Sequence, residues 1–219
     1  MQVLTDIVFI SFYTNEGKYP ELAIKLKKSI NKFNLQSDIL KINSNFASWE
    51  QGTHFKSKFI LQSLLKFRKP VVWMDIDTEI LKFPELLFDE HDFAIYNWIA
   101  DKDHHLSGKI PYDPKTKALL CSGGVQKYSY TAPSIHLLIN WINNLNEPNN
   151  KNKGDDPCLD IAFNEGNFDL KVLWLPKTYN RMDKHSIFWS KISRDSVVIN
   201  HDYVAGNHRN NSLNINKGF

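Results

Sequence analysis

The stretch Val71-Val72-Trp73-Met74-Asp75-Ile76-Asp77-Thr78-Glu79-Ile80 decides how this chain is read. Its apolar start makes a short buried strand, and the strand ends on two carboxylates, Asp75 and Asp77, with one residue between them. In an extended chain, residues i and i+2 share a side, so both acids are expected to face the same way at the C-terminal edge of a sheet. That edge is where open α/β sheets present ligands. Two carboxylates held together repel each other unless a cation lies between them. Hard oxygen donors suit Mg2+ or Mn2+, either of which can also bridge a diphosphate. Two solvated acids in a loop give the same three letters, so the flanking sequence has to carry the reading.

Upstream, Ile7 to Phe12 is a β-branched and aromatic run that empties into Ser-Phe-Tyr-Thr-Asn-Glu-Gly, which predicts a first core strand and a polar loop rather than a signal peptide. From Pro20 to Phe33, Leu22, Ala23, Leu26, Ile30 and Phe33 recur at helical spacing. A strand is expected over Ser37 to Ile42, and Phe55, Phe59, Ile60, Leu64 and Leu65 form a second helical stripe. This alternation of strand and helix is the pattern of an α/β layer.

Downstream, a short helix at Phe83 to Phe88 and a strand near Phe93 to Trp98 precede a polar loop over Asp101 to Lys117. Gly123 and Gly124 interrupt an apolar stretch, which predicts close backbone approach to a ligand, or a bulge, instead of a regular strand. Ser134 to Leu145 reads as a helix, Glu147 to Lys153 as a solvated loop, and Asp156 to Phe163 as the next helix. Asp155 and Asp156 stand at its start, where a carboxylate is favoured simply as a cap. Late strands are expected at Val172 to Leu175 and Val197 to Asn200, with His201 following the second.

With 219 residues, 42% of them hydrophobic, the chain has material for one sizeable core, and a single domain is expected. A net charge of +3 from 27 basic and 24 acidic side chains, with the lysines dispersed, argues against nucleic acid as a partner. No run reaches the roughly 18 apolar residues of a membrane span. The two cysteines lack metal-ligand spacing and fit a reducing, cytoplasmic compartment.

An apolar strand, Asp-Ile-Asp, then Phe-Pro and a short helix, taken in that order, resemble the GT-A glycosyltransferases, the nucleotide-diphospho-sugar transferases that carry an Asp-x-Asp motif. The resemblance spans most of the chain. It includes the Tyr13 loop, Lys58 on the helix before the acidic strand, Ser122-Gly123-Gly124-Val125, Gly154-Asp155-Asp156, and His201 with Gly206 downstream. It implies one Rossmann-like GT-A domain over residues 1–206, with a mixed, mostly parallel sheet flanked by helices, and a polar tail over 207–219.

The resemblance also implies roles. Asp77 and Asp75 would hold Mn2+ or Mg2+, with His201 as third ligand. Ser11, Tyr13 and Thr14 would contact base and ribose, Lys58 would reach the donor, and Gly123 and Gly124 would line the donor sugar. Gly206 and Arg209 would grip the diphosphate, although the family's usual Lys-Pro-Trp ending is missing. Asp156, with Asp155 beside it, would face the reacting centre. The partners implied are a nucleotide-sugar donor, UDP foremost, and a carbohydrate or other hydroxyl acceptor.

Asp75-Ile-Asp77-Thr78 also matches the Asp-x-Asp-x-Thr of haloacid dehalogenase-like phosphatases. That family opens with its acidic strand, whereas here the acidic strand follows a full strand-helix-strand-helix unit. A nucleotide-sugar-binding domain without turnover is a third reading. A nucleotidyltransferase would need a glycine-rich basic loop at the N-terminus, which this sequence lacks.

Overall fold

A computed structural model of the chain describes residues 4–43, 46, 48–102, 110–166, 168–181 and 192–201. The strands are β1 (Leu4–Tyr13), β2 (Leu35–Lys41), β3 (Val71–Met74), β4 (Thr78–Ile80), β5 (Phe93–Asn97), β6 (Cys121–Tyr128), β7 (Val172–Trp174) and β8 (Ile199–His201). The helices are α1 (Tyr19–Asn31), α2 (Trp49–Phe67), α3 (Ala132–Asn146) and α4 (Asp155–Glu165). Six strands form one sheet in the order β2-β1-β3-β6-β5-β7. β1 runs parallel to β2 and β3, β6 runs antiparallel to β3 and β5, and β7 runs parallel to β5. One reversed strand therefore sits inside an otherwise parallel sheet, the mixed and mostly parallel arrangement expected.

Period-two alternation divides the core between the two faces. Val8, Ile10, Val71, Trp73, Phe93 and Ile95 point to one side, where α2, α3 and α4 cover them with Ile60, Leu64, Leu137, Trp141 and Leu159. Phe9, Val72, Met74, Ala94 and Val125 point to the other, under Leu26 and Ile30 of α1 and under Ile80 and Ile199 of the small β4–β8 ribbon. That ribbon is fastened to α1: Ser29 Oγ accepts from Ile80 N at 3.1 Å, and Lys25 pairs with Glu79 at 3.0 Å.

The element boundaries show what local pattern misses. α2 begins at Trp49, ahead of its apolar stripe, because Ser48 caps it by accepting from Gln51 N at 3.3 Å. Residues 148–150 are not a plain solvated loop, since Asn150 is buried and bonds Asn144 O at 2.8 Å. The late strand is Ile199–His201 and takes in His201 itself, and it pairs with β4 instead of joining the main sheet. The glycine pair lies inside β6, which is buried from end to end. β6 runs regularly against β3, but its register against β5 slips between Ile95 and Tyr96, so both a strand and a bulge are present. Among the described residues no helix is long and apolar enough to cross a membrane, and both cysteines are free and buried.

Candidate active site

Asp75 and Asp77 converge through a turn and not through extended pleating. Thr78 closes that turn by donating both its backbone N–H and its hydroxyl to Asp75 O, at 3.0 and 2.7 Å. Asp75 N in turn donates to Gly124 O at 2.8 Å, which ties the start of the turn to β6. Beyond the turn, β4 places Thr78 opposite His201 of β8. Strand pairing thus carries the histidine across some 120 residues of chain to the acids. Its Nε2 lies 3.1 Å from Asp77 Oδ1 and 3.7 Å from Asp75 Oδ2.

One ligand atom from each of Asp75, Asp77 and His201 lies within 4.8 Å of the other two. Two carboxylates and an imidazole with that spacing suit a divalent cation of the Mg2+ or Mn2+ kind. Burial alone would lower the pKa of His201. The hydrogen bond and charge of Asp77, followed by the charge of Asp75, outweigh it, and the net direction is upward from 6.5.

The cation that reaches the acids is Lys56, which is buried, whereas Lys58 is exposed. Two residues along a helix turn by about 200°, so the two lysines occupy opposite faces of α2. Lys56 Nζ lies 2.9 Å from Asp155 Oδ2, 3.3 Å from Asp75 Oδ1 and 2.9 Å from Gly123 O. Desolvation opposes its charge, but Asp155 and then Asp75 overcome it and raise its pKa. Trp73 completes the arrangement, with its indole N–H donating to Asp75 Oδ1 at 2.7 Å. Removing one partner of a buried pair leaves the other uncompensated, so Lys56→Met should cost about 3 kcal/mol of stability. Lys58→Met should cost under ~0.5 kcal/mol, and thermal or urea unfolding of the two variants checks the contrast.

Asp155 and Asp156 open α4 but do not act as its side-chain cap; the N-cap is Gly154. Trp141 of α3 donates to Asp155 O at 3.0 Å and pins the helix start. Asp155 is committed to Lys56. Asp156 instead accepts from Gly123 N at 3.1 Å through Oδ2. Its pKa is pushed up to about 7, first by burial and then by the Asp155 charge, against the opposing pull of Lys56.

The glycine pair leaves room for two of these side chains. A Cβ on Gly123 would lie 2.1 Å from Asp156 Oδ1, and one on Gly124 would lie 2.5 Å from His201 Nδ1. The close approach expected of the two glycines is therefore made by the site's own acid and histidine. Gly124→Ala should displace His201 and weaken divalent-cation binding severalfold more than it lowers the melting temperature. Calorimetric titration beside a thermal melt tests this.

These groups line a cavity of about 730 Å3 together with Phe12, Tyr13, Thr14, Tyr19, Phe46 and Ser122. Tyr13 and Thr14 reach it from the end of β1. Ser11 does not; it shares a side of β1 with Tyr13 but lies two residues further back from the strand's end and is fully buried. Gly206 and Arg209, and the whole tail over 207–219, lie outside the described residues. Lys56 and Trp73 were missed as residues lining this cavity. A lysine inside an apolar helical stripe was the available signal for Lys56, and a tryptophan one alternation before an aspartate was the signal for Trp73.

Three parallel strands, a reversed strand, two further parallel ones and an acid pair at the carboxyl edge make up the α/β fold of the GT-A glycosyltransferases. Solved structures that share it include a glycosyltransferase involved in the glycosylation of the major capsid of PBCV-1, with a TM-score of 0.62 and 13% identity, covering 90% of this chain and 93% of that one. Mouse xyloside xylosyltransferase 1, in its apo form, matches with a TM-score of 0.53 and 13% identity, covering 92% of this chain and 99% of that one. No protein-family model and no curated protein matches the sequence.

Proposed function

We propose that this chain is a metal-dependent glycosyltransferase that moves a sugar from a nucleoside-diphosphate donor, UDP foremost, onto a carbohydrate or other hydroxyl acceptor. The observation that carries the reading is the meeting of Asp75, Asp77 and His201 at the carboxyl edge of a glycosyltransferase fold, on the wall of a donor-sized cavity. Asp75, Asp77 and His201 would hold Mn2+ or Mg2+, whose chemistry is to neutralise the diphosphate as it departs. The chain's own residues supply the rest. Tyr13 and Thr14 border the nucleotide end, and Tyr13 offers a ring for stacking on the base. Lys56 holds Asp75 and Asp155 in place and places a positive charge beside the bond to be broken. Asp156 faces the sugar and the incoming hydroxyl, where a carboxylate serves as proton acceptor or stabilises positive charge at the anomeric carbon.

The phosphatase reading needs the first acid of the motif free to attack phosphorus. Asp75 is instead held through Oδ1 by Trp73 and Lys56 and turns Oδ2 towards His201. Absence of turnover of a generic phosphate ester with Mg2+ separates the two, and donor hydrolysis separates the enzyme from a silent binding domain.

The direct test is calorimetry with UDP and with GDP, each with Mn2+ and with EDTA. Binding should require the cation, because two carboxylates and a diphosphate repel each other unless bridged. Equal affinity in EDTA would remove the metal from the proposal. The cation must also displace a proton from His201, so its affinity should fall on acidification, with a midpoint above 6.5 because the pKa is raised. Without metal the sign reverses. The His201–Asp77 pair stabilises the fold fully below 6.5, and that contribution is lost as pH rises through the raised value.

A further inference from the structure

Asn180 is fully buried and lies in the segment that follows β7, away from the acidic motif in sequence. Its side chain joins two parts of the site. Nδ2 donates to Ser122 Oγ at 2.9 Å and lies 3.5 Å from Ser122 O, and Oδ1 lies 3.3 Å from His201 Nδ1. The chemistry of the partners fixes this orientation. A backbone carbonyl only accepts, so an amide oxygen turned towards Ser122 would face another oxygen; the nitrogen belongs there, and the oxygen faces the histidine. An amide oxygen also only accepts, so the imidazole must present an N–H at Nδ1. In the neutral ring this leaves the lone pair on Nε2, the atom that points at Asp77 and Asp75. Gly124 makes room for the pair, since a Cβ there would lie 2.5 Å from His201 Nδ1 and 2.9 Å from Asn180 Oδ1. The backbone runs in the same direction: His201 N donates to Arg181 O, so β8 hangs from the residue next to Asn180.

We propose that Asn180 is a positioning residue for His201: anchored on Ser122, it holds the imidazole in the tautomer whose Nε2 lone pair faces Asp75 and Asp77. The inference rests on the metal-site reading given under Proposed function. It gives Ser122 a task distinct from lining the cavity, and it ties Asn180, in the segment that follows β7, to the cation site through the imidazole it orients.

The experiment is a double-mutant cycle read by Mn2+ affinity and not by turnover. Free Mn2+ is followed by its electron paramagnetic resonance signal, with UDP saturating, in wild type, Asn180→Leu, His201→Ala and the double variant. Loss of a partner that orients a metal-bound histidine costs roughly 10- to 100-fold in affinity, so Asn180→Leu should weaken Mn2+ by about that factor in the wild-type background. In the His201→Ala background the same change should have no further effect, because its action runs through the imidazole. Should Asn180→Leu fail to fold by circular dichroism, Ser122→Ala runs the same cycle with a smaller expected loss. Equal losses in both backgrounds would make Asn180 a general support of the fold and overturn the inference, and so would no loss in either. Absence of Mn2+ binding by the wild type, with and without UDP, would sink the metal reading itself and this inference with it.

Discussion

Asp77→Ala will all but abolish Mn2+-dependent donor hydrolysis while leaving the main sheet intact. Asp77 is buried, meets His201 at 3.1 Å, and belongs to the turn that Thr78 closes. On the proposed reading its loss removes an anionic ligand, and it breaks the pairing of acid and imidazole. Charge stabilisation of a leaving group by a bound cation is worth several kcal/mol, which converts to roughly a thousandfold in rate. His201→Ala removes a neutral ligand and should cost less, with part of the loss recovered at high Mn2+. The measurement is the release of free sugar from UDP-sugars as a function of Mn2+ concentration. Residual activity within about tenfold of wild type at saturating Mn2+ would show that the acid does not hold the cation.

Asp156→Asn will separate reaction from binding. One oxygen of this carboxylate is held by Gly123 N and the group lies on the cavity wall, whereas its neighbour Asp155 is spent on Lys56. Transfer should fall by about 10^2- to 10^4-fold, the usual reach of a positioned acid or base, with UDP affinity nearly unchanged. The pH profile gives a second signature. With a pKa pushed up to about 7, Asp156 ionises only as pH rises through neutrality, so wild-type rate should climb across that range and the Asn variant should lose the step. The stability signature has the opposite sense. A carboxylate with a raised folded pKa favours the native state at low pH, and this contribution is lost as pH rises from its ordinary value near 3.8 towards 7. Loss of UDP binding together with transfer would move Asp156 into the donor site.

The elements with strong local pattern were legible before any coordinates. β3 and the two acids, the stripes of α1, α2 and α3, and the layer architecture follow from period and composition, because hydrophobic spacing is a local property that burial enforces directly. The choice between Lys56 and Lys58 was legible only in part. Lys56 lies three and four residues before the apolar Phe59 and Ile60, but both lysines sit among others on one helix, and the acids that Lys56 meets come from β3 and α4, far away in sequence. Asn180 carries no periodic signal at all, and it matters through a partner 21 residues later on a strand of three residues. The turn at Asp75 to Thr78 was missed for a related reason: an Asp-x-Asp-Thr run reads as extended until Thr78 is seen to close it with two hydrogen bonds.

The β4–β8 ribbon has a consequence for the order in which the molecule assembles. Its register joins Thr78 to His201, whereas the flanking sheet is built from pairings closed earlier in the chain. With β7 already held in the main sheet, the chain left to close runs only from Trp174 to Ile199, and the three-residue clasp is expected to follow the sheet. The central sheet and its helices can be complete while the histidine is still absent from the acids. On the proposed reading the site is completed by the docking of β8 against β4 and residues 178–181, and a cation that gathers both sides of the clasp would shift that equilibrium by mass action.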